Sequence, residues 1–303
     1  MSVLLLALLL DVLVGDPPNR WHPVAWTGRL IAWGRRVAPR ASPFRLTAYG
    51  GGFLCGTLAA VVATVAAASW AVRLCGWPGL LLDAALLKCT FSLRGLLTAA
   101  RGVRELLAAE NLPGARERVG RDLVSRPTAV LDSEQVASAT VESVAENLTD
   151  SVVAPILFFL LLGVPGAWAY RLVNTVDSMW GYREGELEYL GKPAARLDDL
   201  LNWIPSRLAG FGIVLGALLA GESAANAWRT MWREHGRTAS PNAGWTMAAM
   251  AGALGVALEK PGAYRLGSGA SPTVETIDRA IRVMVSAGAL AVAAFLVIAA
   301  WLT

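Results

Sequence analysis

Apolar runs alternate along this chain with long segments that carry most of its charge. Residues 2–14 form a first, short apolar helix. It has no basic leader, holds Asp11 within the run, and is followed by no small-residue cleavage pattern. It therefore reads as a retained membrane helix rather than a signal peptide. Residues 46–72 are long enough to span, because about 20 apolar residues cross the hydrocarbon core. Their Gly and Ala content suits close helix packing. Residues 80–100 read as a returning helix interrupted by Asp83, Lys88 and Arg94. Residues 208–226 and 283–302 read as two further spans.

The run at 151–170 has two readings. Pro155 and the sequence GVPG at 163–166 punctuate it. It is either one uninterrupted span or a re-entrant hairpin turning at Gly163–Gly166. The hairpin is preferred, because it returns NTVDSMWGY to the same face as the acidic helix before it. The polar segments are 15–45, 101–150, 171–207 and 228–282. In the first, Arg-rich and Trp-bearing, the pattern predicts an interfacial helix on the cytoplasmic side. In the second, Asp132 with Gln135 predicts a capping box. The expected fold is all-α: a multi-pass helical membrane protein with long cytoplasmic helical loops, residues 1–303 forming a single integral-membrane domain.

Composition agrees with this pattern. The chain is 55% hydrophobic and only 17% charged, with mean hydropathy +0.48. A soluble domain carries about 25% charged residues. The net charge of +4 comes from Arg, with Lys only at 88, 192 and 260. No basic stripe interleaved with aromatics points to nucleic acid, so no nucleic-acid partner is expected. Cys55, Cys75 and Cys89 lack metal-type spacing and read as core thiols.

Four constellations could carry chemistry. In VESVAENLTDSVVAP, Glu142, Glu146 and Asp150 recur every four residues and would stack on one helix face beside Asn147. A solvated acidic face would explain them. So would a divalent cation that relieves their repulsion, with oxygen-only ligands favouring Mg²⁺ over zinc. In NTVDSMWGY, Asn174, Asp177 and Ser178 either cap a helix or line a site. In GKPAARLDDLLNWIPSR, Arg196 and Arg207 bracket Asp198, Asp199 and Asn202. Carboxylates for a metal beside Arg for phosphate suit a Mg²⁺–phosphate site, and internal salt bridging is the plainer account. Ser240 and Asn242 stand in a turn before a helix, where backbone N–H groups can hold an anion, and GSGAS at 267–271 could approach a phosphate. No P-loop, G-x-S-x-G elbow or H-E-x-x-H occurs.

Six motifs occur in order: GDPPNRWHPV, GRDLVSR…LD, VESVAENLTDSVVAP, NTVDSMWGYR, ARLDDLLNWIPSRL and SPNAGWTMAAMAGALGV. Together they cover roughly residues 10–280 and resemble the CbiB/CobD membrane proteins of cobalamin biosynthesis, the adenosylcobinamide-phosphate synthase family. The resemblance implies an ATP- and Mg²⁺-dependent amide ligase of the inner (cell) membrane, its active site facing the cytoplasm. It would join a propionate of adenosylcobyric acid, a corrinoid, to (R)-1-aminopropan-2-ol phosphate or a related amino alcohol phosphate, through an acyl phosphate. Under that reading Glu142, Glu146, Asp177, Asp198 and Asp199 are the catalytic acids, with Glu146, Asp150, Asp177 and Asp198 as metal ligands. His22, Asn147, Asn174, Ser178, Arg196, Asn202, Arg207, Ser240 and Asn242 would bind substrate or phosphate. Trp21 and His22 contact the corrinoid or anchor the interface. Membrane lipids and a homo-oligomer are the other partners expected. One departure stands out: ALEKPG at 257–262 replaces the Gly-rich LGG expected there. Two alternatives come from other classes. One is a CDP-alcohol phosphotransferase, whose Asp spacing this chain does not match. The other is an AmpE-like sensor or transporter.

Overall fold

The structure is a computed structural model and describes residues 2–301. It is helical almost throughout. Helices α1 (Ser2–Leu13), α2 (Pro23–Arg36), α3 (Pro43–Arg73) and α4 (Trp77–Lys88) come first. Pro stands in the opening turn of α2, α3 and α4, where its missing N–H has no helical partner to lose. Then follow α5 (Leu93–Ala108), α6 (Leu112–Asp122) and α7 (Ser133–Leu148). The expected capping box opens α7. Asp132 Oδ1 accepts the Gln135 N–H at 2.8 Å, and Gln135 Oε1 accepts the Asp132 N–H at 3.0 Å.

A π-helical turn, Thr149–Val153, leads into α8 (Ala154–Trp180). After it come α9 (Leu187–Leu190), α10 (Lys192–Leu201), α11 (Trp203–Leu219), α12 (Ala224–Glu234) and α13 (Ala243–Leu254). A small antiparallel hairpin, β1 (Leu258–Lys260) and β2 (Tyr264–Leu266), pairs Leu258 with Leu266. Helix α14 (Val274–Trp301) ends the described chain. Among the described residues, three helical stretches are long and apolar enough, by length and composition, to cross a membrane: α3, α14 and the run 133–180. The bent pair α10–α11 adds a fourth if it is one span.

The chain divides into two compact units built from alternating segments. One gathers the chain before Leu93 together with Ala154–Asn202, and the other gathers Leu93–Val153 and Trp203–Ile298. The first has a core of Ile31, Leu54, Leu172, Val176, Trp180 and Leu190. Phe53 packs its ring 5.0 Å from that of Trp180. The second is centred on α13, every residue of which is buried. Its Ala and Gly side chains let α11, α12 and α7 pack close.

Three local outcomes matter for the sequence reading. First, the chain does fold back within 151–170. Gly163 has φ +70°, outside the helical region, and Pro165 follows it. Phe158 and Tyr170 stack with ring centroids 5.2 Å apart. A straight helix would separate residues twelve apart by about 18 Å. The two arms of α8 are therefore a helical hairpin. Second, 80–100 is not one helix. It breaks between Lys88 and Leu93, where Lys88 Nζ turns to the Phe91 carbonyl at 3.1 Å and to carboxylates near the N-terminus. Third, the polar segment 228–282 contains the fully buried α13. Its low charge content, not its length, gives it away.

Candidate functional site

The predicted residues divide between the two units. In the first, the facing turns of α8 and α10 build a carboxylate–amide network. Asp198 is buried, with 9% of its surface exposed. Its Oδ1 accepts from Asn174 Nδ2 at 3.3 Å and its Oδ2 from Asn202 Nδ2 at 3.0 Å. Asn202 Oδ1 in turn accepts the Tyr170 hydroxyl at 2.9 Å. Sequence spacing brought Asp198 and Asn202 together at i,i+4; the hairpin in α8 supplies Asn174 and Tyr170. Two amide donors orient the carboxylate.

Beside that network lies a cleft of about 250 Å³ lined by Gly181, Tyr182, Arg183, Glu188, Lys192, Arg196 and Asp199 among others. Lys192, Arg196 and Asp199 fall three or four residues apart and share one face of α10. Gly191 makes the approach of α10 feasible, because a Cβ there would collide with the Trp180 carbonyl. Arg196 Nη1 stands 3.9 Å from Asp199 Oδ2. Three cations therefore face two carboxylates. A cleft of this size is below the roughly 300–1,000 Å³ of drug-sized ligand pockets and is too small to enclose a corrinoid ring. Arg183 and Tyr182 were not singled out by sequence, although Arg183 directly follows NTVDSMWGY. Arg171 was also missed: its Nε is buried and has no acceptor among the described residues. Asp177 is half-buried in the last turn of α8, and Ser178 is exposed, its hydroxyl donating to the Thr175 carbonyl at 3.0 Å.

In the N-terminal part of the same unit, both ring nitrogens of His22 are engaged. Nδ1 accepts the Val24 N–H at 3.2 Å and caps α2, while Nε2 lies 3.7 Å from Asp16. Asp16 also takes Lys88 Nζ at 2.5 Å and the Ser92 hydroxyl. Burial pushes the Asp16 carboxyl up, but hydrogen bonds from His22, Lys88 and Ser92 and the Lys88 charge outweigh it. The net effect holds it well below the usual carboxylate range. GDPPNRWHP thus supplies Asp16 and His22 to an ion cluster around the buried Lys88, and Trp21 stays exposed.

In the second unit Glu142 is buried, with 5% of its surface exposed, and its oxygens are occupied. Oε1 accepts from Ser138 Oγ and Oε2 from the Tyr264 hydroxyl, each at 2.8 Å, and Arg126 stands at 3.6 Å. Burial and then the Glu142 charge push the Tyr264 phenol far above its ordinary range. Glu146 and Asp150 are half-buried, and Asp150 lies in the π-helical turn Thr149–Val153, beyond the end of α7 that carries the other two. Asn147 is bound to its own helix, its Nδ2 donating to Ser143 O and Oγ at 3.0 Å.

Ser240 Oγ accepts the Asn242 and Ala243 N–H groups and so caps α13 itself. Asn242 Oδ1 accepts from Arg207 Nη1 at 2.8 Å and from Ser206. The Arg207 guanidinium lies between Trp203 and Trp245, 4.7 and 4.8 Å from their ring centres. The backbone N–H of Gly267 goes to the Glu234 carboxylate at 2.6 Å. Burial raises the Glu234 pKa, and this N–H, with Arg233 and Arg237, more than reverses it. In the GSGAS loop, which the sequence left open to a phosphate, the Gly267 N–H is therefore already taken by a protein carboxylate.

Among the described residues no three His, Cys, Asp or Glu side chains converge as a metal-binding group. The donor set is all oxygen. It fits Mg²⁺ in the usual way, with one or two carboxylates and phosphate oxygens completing the shell.

Residues 4–293 match the family model described as CobD/Cbib protein. The chain is 43% identical over 288 residues to the cobalamin biosynthesis protein CobD of Dehalococcoides mccartyi, covering 94% of this chain and 93% of that one. It is 45% identical over 269 residues to a probable cobalamin biosynthesis protein CobD of Methanothermobacter thermautotrophicus, covering 88% and 86%. With the CobD of Klebsiella pneumoniae it shares 37% identity over 98% of this chain and 96% of the other. It matches no solved structure.

Proposed function

The chain belongs to the CobD/Cbib family, and we propose that it is an amide ligase of cobalamin biosynthesis. In this reading it uses ATP and Mg²⁺ to join adenosylcobyric acid to (R)-1-aminopropan-2-ol phosphate, or a related amino alcohol phosphate, giving adenosylcobinamide phosphate at the cytoplasmic face of the inner membrane. The observation that carries the chemistry is the cleft of Arg183, Lys192 and Arg196 with Asp199, set beside the oriented Asp198 carboxylate.

Condensing a carboxylate with an amine in water runs uphill, so the acid must be activated by phosphoryl transfer. Such transfer depends mostly on positioning and charge neutralisation. Arg183, Lys192 and Arg196 are suited to hold the phosphate of the amine substrate or of the nucleotide. In this scheme Asp199 takes a proton from the substrate's ammonium group, and the amine so freed attacks the activated acyl carbon. Asp198, fixed by Asn174 and Asn202, offers a rigid carboxylate for a metal, and Asp177 is the further ligand candidate in the same unit. Mg²⁺, when bound, would neutralise phosphate charge. Glu142 acts in this scheme as a support of its unit.

The test is product analysis by mass spectrometry. Purified protein in detergent is given ATP, Mg²⁺, adenosylcobyric acid and each amino alcohol phosphate in turn. Formation of adenosylcobinamide phosphate, dependent on ATP, is expected. ATP-independent turnover, or no amide product with any amine, would overturn the reading.

A further inference from the structure

Arg171 has no task in the ligase scheme. It stands in the middle of the second arm of α8 and is half-buried. Among the described residues its guanidinium has no hydrogen-bond acceptor and no carboxylate within ion-pair distance. Other cations at comparable depth are committed: Arg104 faces Asp278, Arg279 faces Glu222, and Lys88 faces Asp11 and Asp16. Of the Arg171 nitrogens only Nε is shut away from solvent, so the two Nη groups reach open space.

Two plain accounts do not fit. Basic residues in the last turn of a helix complement its dipole, but Arg171 lies well before Trp180, where α8 ends. A long side chain on a lipid-facing helix can snorkel to the headgroups. Such a side chain lies along the lipid surface, whereas Arg171 Nε is enclosed by protein. Ionisable residues within apolar helices are expensive, and they mark functional sites by default.

The neighbours of Arg171 say where it acts. At about 100° per residue, Tyr170, Asn174 and Arg171 share roughly 100° of the arm's circumference. Leu172, Val173, Val176 and Trp180 take the other side and pack into the core of the unit. Tyr170 and Asn174 are both bonded into the Asp198 network, Tyr170 through Asn202 at 2.9 Å and Asn174 directly at 3.3 Å. Arg171 therefore stands on the network's face of α8 without spending its charge on Asp198. A guanidinium beside an oriented carboxylate, yet not paired with it, suits a group that uses both: phosphoryl oxygens for the Arg, and their metal for the carboxylate.

We propose that Arg171 is a further substrate-binding residue, one that holds the phosphoryl group passing from ATP to the corrinoid carboxylate. The inference rests on the ligase reading. In the transfer a carboxylate oxygen bonds to the γ-phosphorus, the bond from that phosphorus to the β–γ bridging oxygen breaks, and ADP leaves with the electron pair. Arg171 keeps its protons and stabilises charge on the equatorial oxygens, where a fixed donor in a water-poor site counts most.

The test has a readout that needs no turnover. Full-length protein in zwitterionic detergent is treated with phenylglyoxal, and modification of Arg171 is followed by peptide mass spectrometry. The probe is AMP-PNP with Mg²⁺, and about ten times its Kd should slow the labelling of Arg171 about tenfold. Labelling of the exposed Arg35 should not change. In nanodiscs, phosphatidylglycerol in place of phosphatidylcholine should give no such protection. Protection by that lipid alone would make Arg171 a headgroup anchor and overturn the proposal. So would an Arg171 that phenylglyoxal does not reach, or one that the nucleotide does not protect. In the amide assay Arg171→Gln should lower kcat about 100-fold or more, with KM for the amino alcohol phosphate nearly unchanged, and Arg171→Lys should recover part of the loss. Full kcat in Arg171→Gln also overturns the proposal, and if that variant does not fold, the labelling decides. No amide product from the unmodified protein would instead defeat the ligase reading, and protection would still report whether Arg171 holds a phosphoryl group.

Discussion

The Tyr264 hydroxyl donates to Glu142 Oε2 at 2.8 Å and ties the β-hairpin to α7. Ser138 reinforces the same join, its Oγ accepting the Glu259 N–H at 2.9 Å. A hydrogen bond to a charged group contributes about 1.5–3 kcal/mol. Tyr264→Phe and Glu142→Gln should each lower stability by about that amount, while activity per folded molecule stays within roughly twofold. Thermal unfolding in detergent beside a product assay checks this. Activity lost without any loss of stability would return Glu142 to the chemistry.

The cleft on α10 makes a sharper demand. If Arg196 and Lys192 bind a phosphate, Arg196→Ala and Lys192→Ala should each raise KM for the amino alcohol phosphate by about tenfold, with smaller changes in kcat. Arg196 is 71% exposed, which limits the effect through solvent screening. The unphosphorylated amino alcohol should show no such increase. Equal losses with both amines would remove the cleft from phosphate recognition.

Much of this was legible in the sequence, for particular reasons. The capping box at Asp132–Gln135 depends on residues three apart, so local pattern finds it. The i,i+4 pairing of Asp198 with Asn202 is equally local. The turn at Gly163 was readable because Gly and Pro are strong punctuation. The occupancy of Glu142 was not, because its partners Tyr264 and Arg126 lie far away in sequence. Arg207 looked like a phosphate ligand for the same reason: nothing local announces the two Trp rings around it. The alternating segments that build each unit leave no linker to mark a boundary. Lys88 broke an expected helix because its ion partners, Asp11 and Asp16, come from the chain's beginning.

That Lys88 cluster predicts a pH dependence. Asp16 is held below its ordinary value near 3.9, so on acidification the unfolded chain takes up a proton before the folded one does. The stability it contributes is complete above about pH 5 and is lost as pH falls toward the folded value. Unfolding temperature measured from about pH 6 down to pH 3 should fall less steeply in Asp16→Asn than in the unmodified protein. An unchanged slope would mean that another carboxylate governs the acid limb. Lys88→Met should destabilise by about 3–5 kcal/mol at neutral pH, because it strips the cation from the buried Asp11.

The hairpin in α8 hangs on one backbone conformation. Gly163 sits at φ +70°, ψ −164°, a region nearly closed to residues with a Cβ. Space is not the obstacle, since the nearest atom to a Cβ there would be Pro165 Cδ at 3.7 Å. Gly163→Ala should therefore cost about 1–3 kcal/mol through backbone strain alone. Phe158→Leu, which removes the ring stacked on Tyr170, should cost a further increment of about 0.5–1.5 kcal/mol. The consequence reaches the site, because Tyr170 bonds Asn202, and Asn202 orients Asp198. Gly163→Ala should then lower kcat more than it raises KM, by disturbing the second arm of α8 while the cleft cations on α10 remain. A variant that loses stability yet keeps full kcat would separate the hairpin from the carboxylate network.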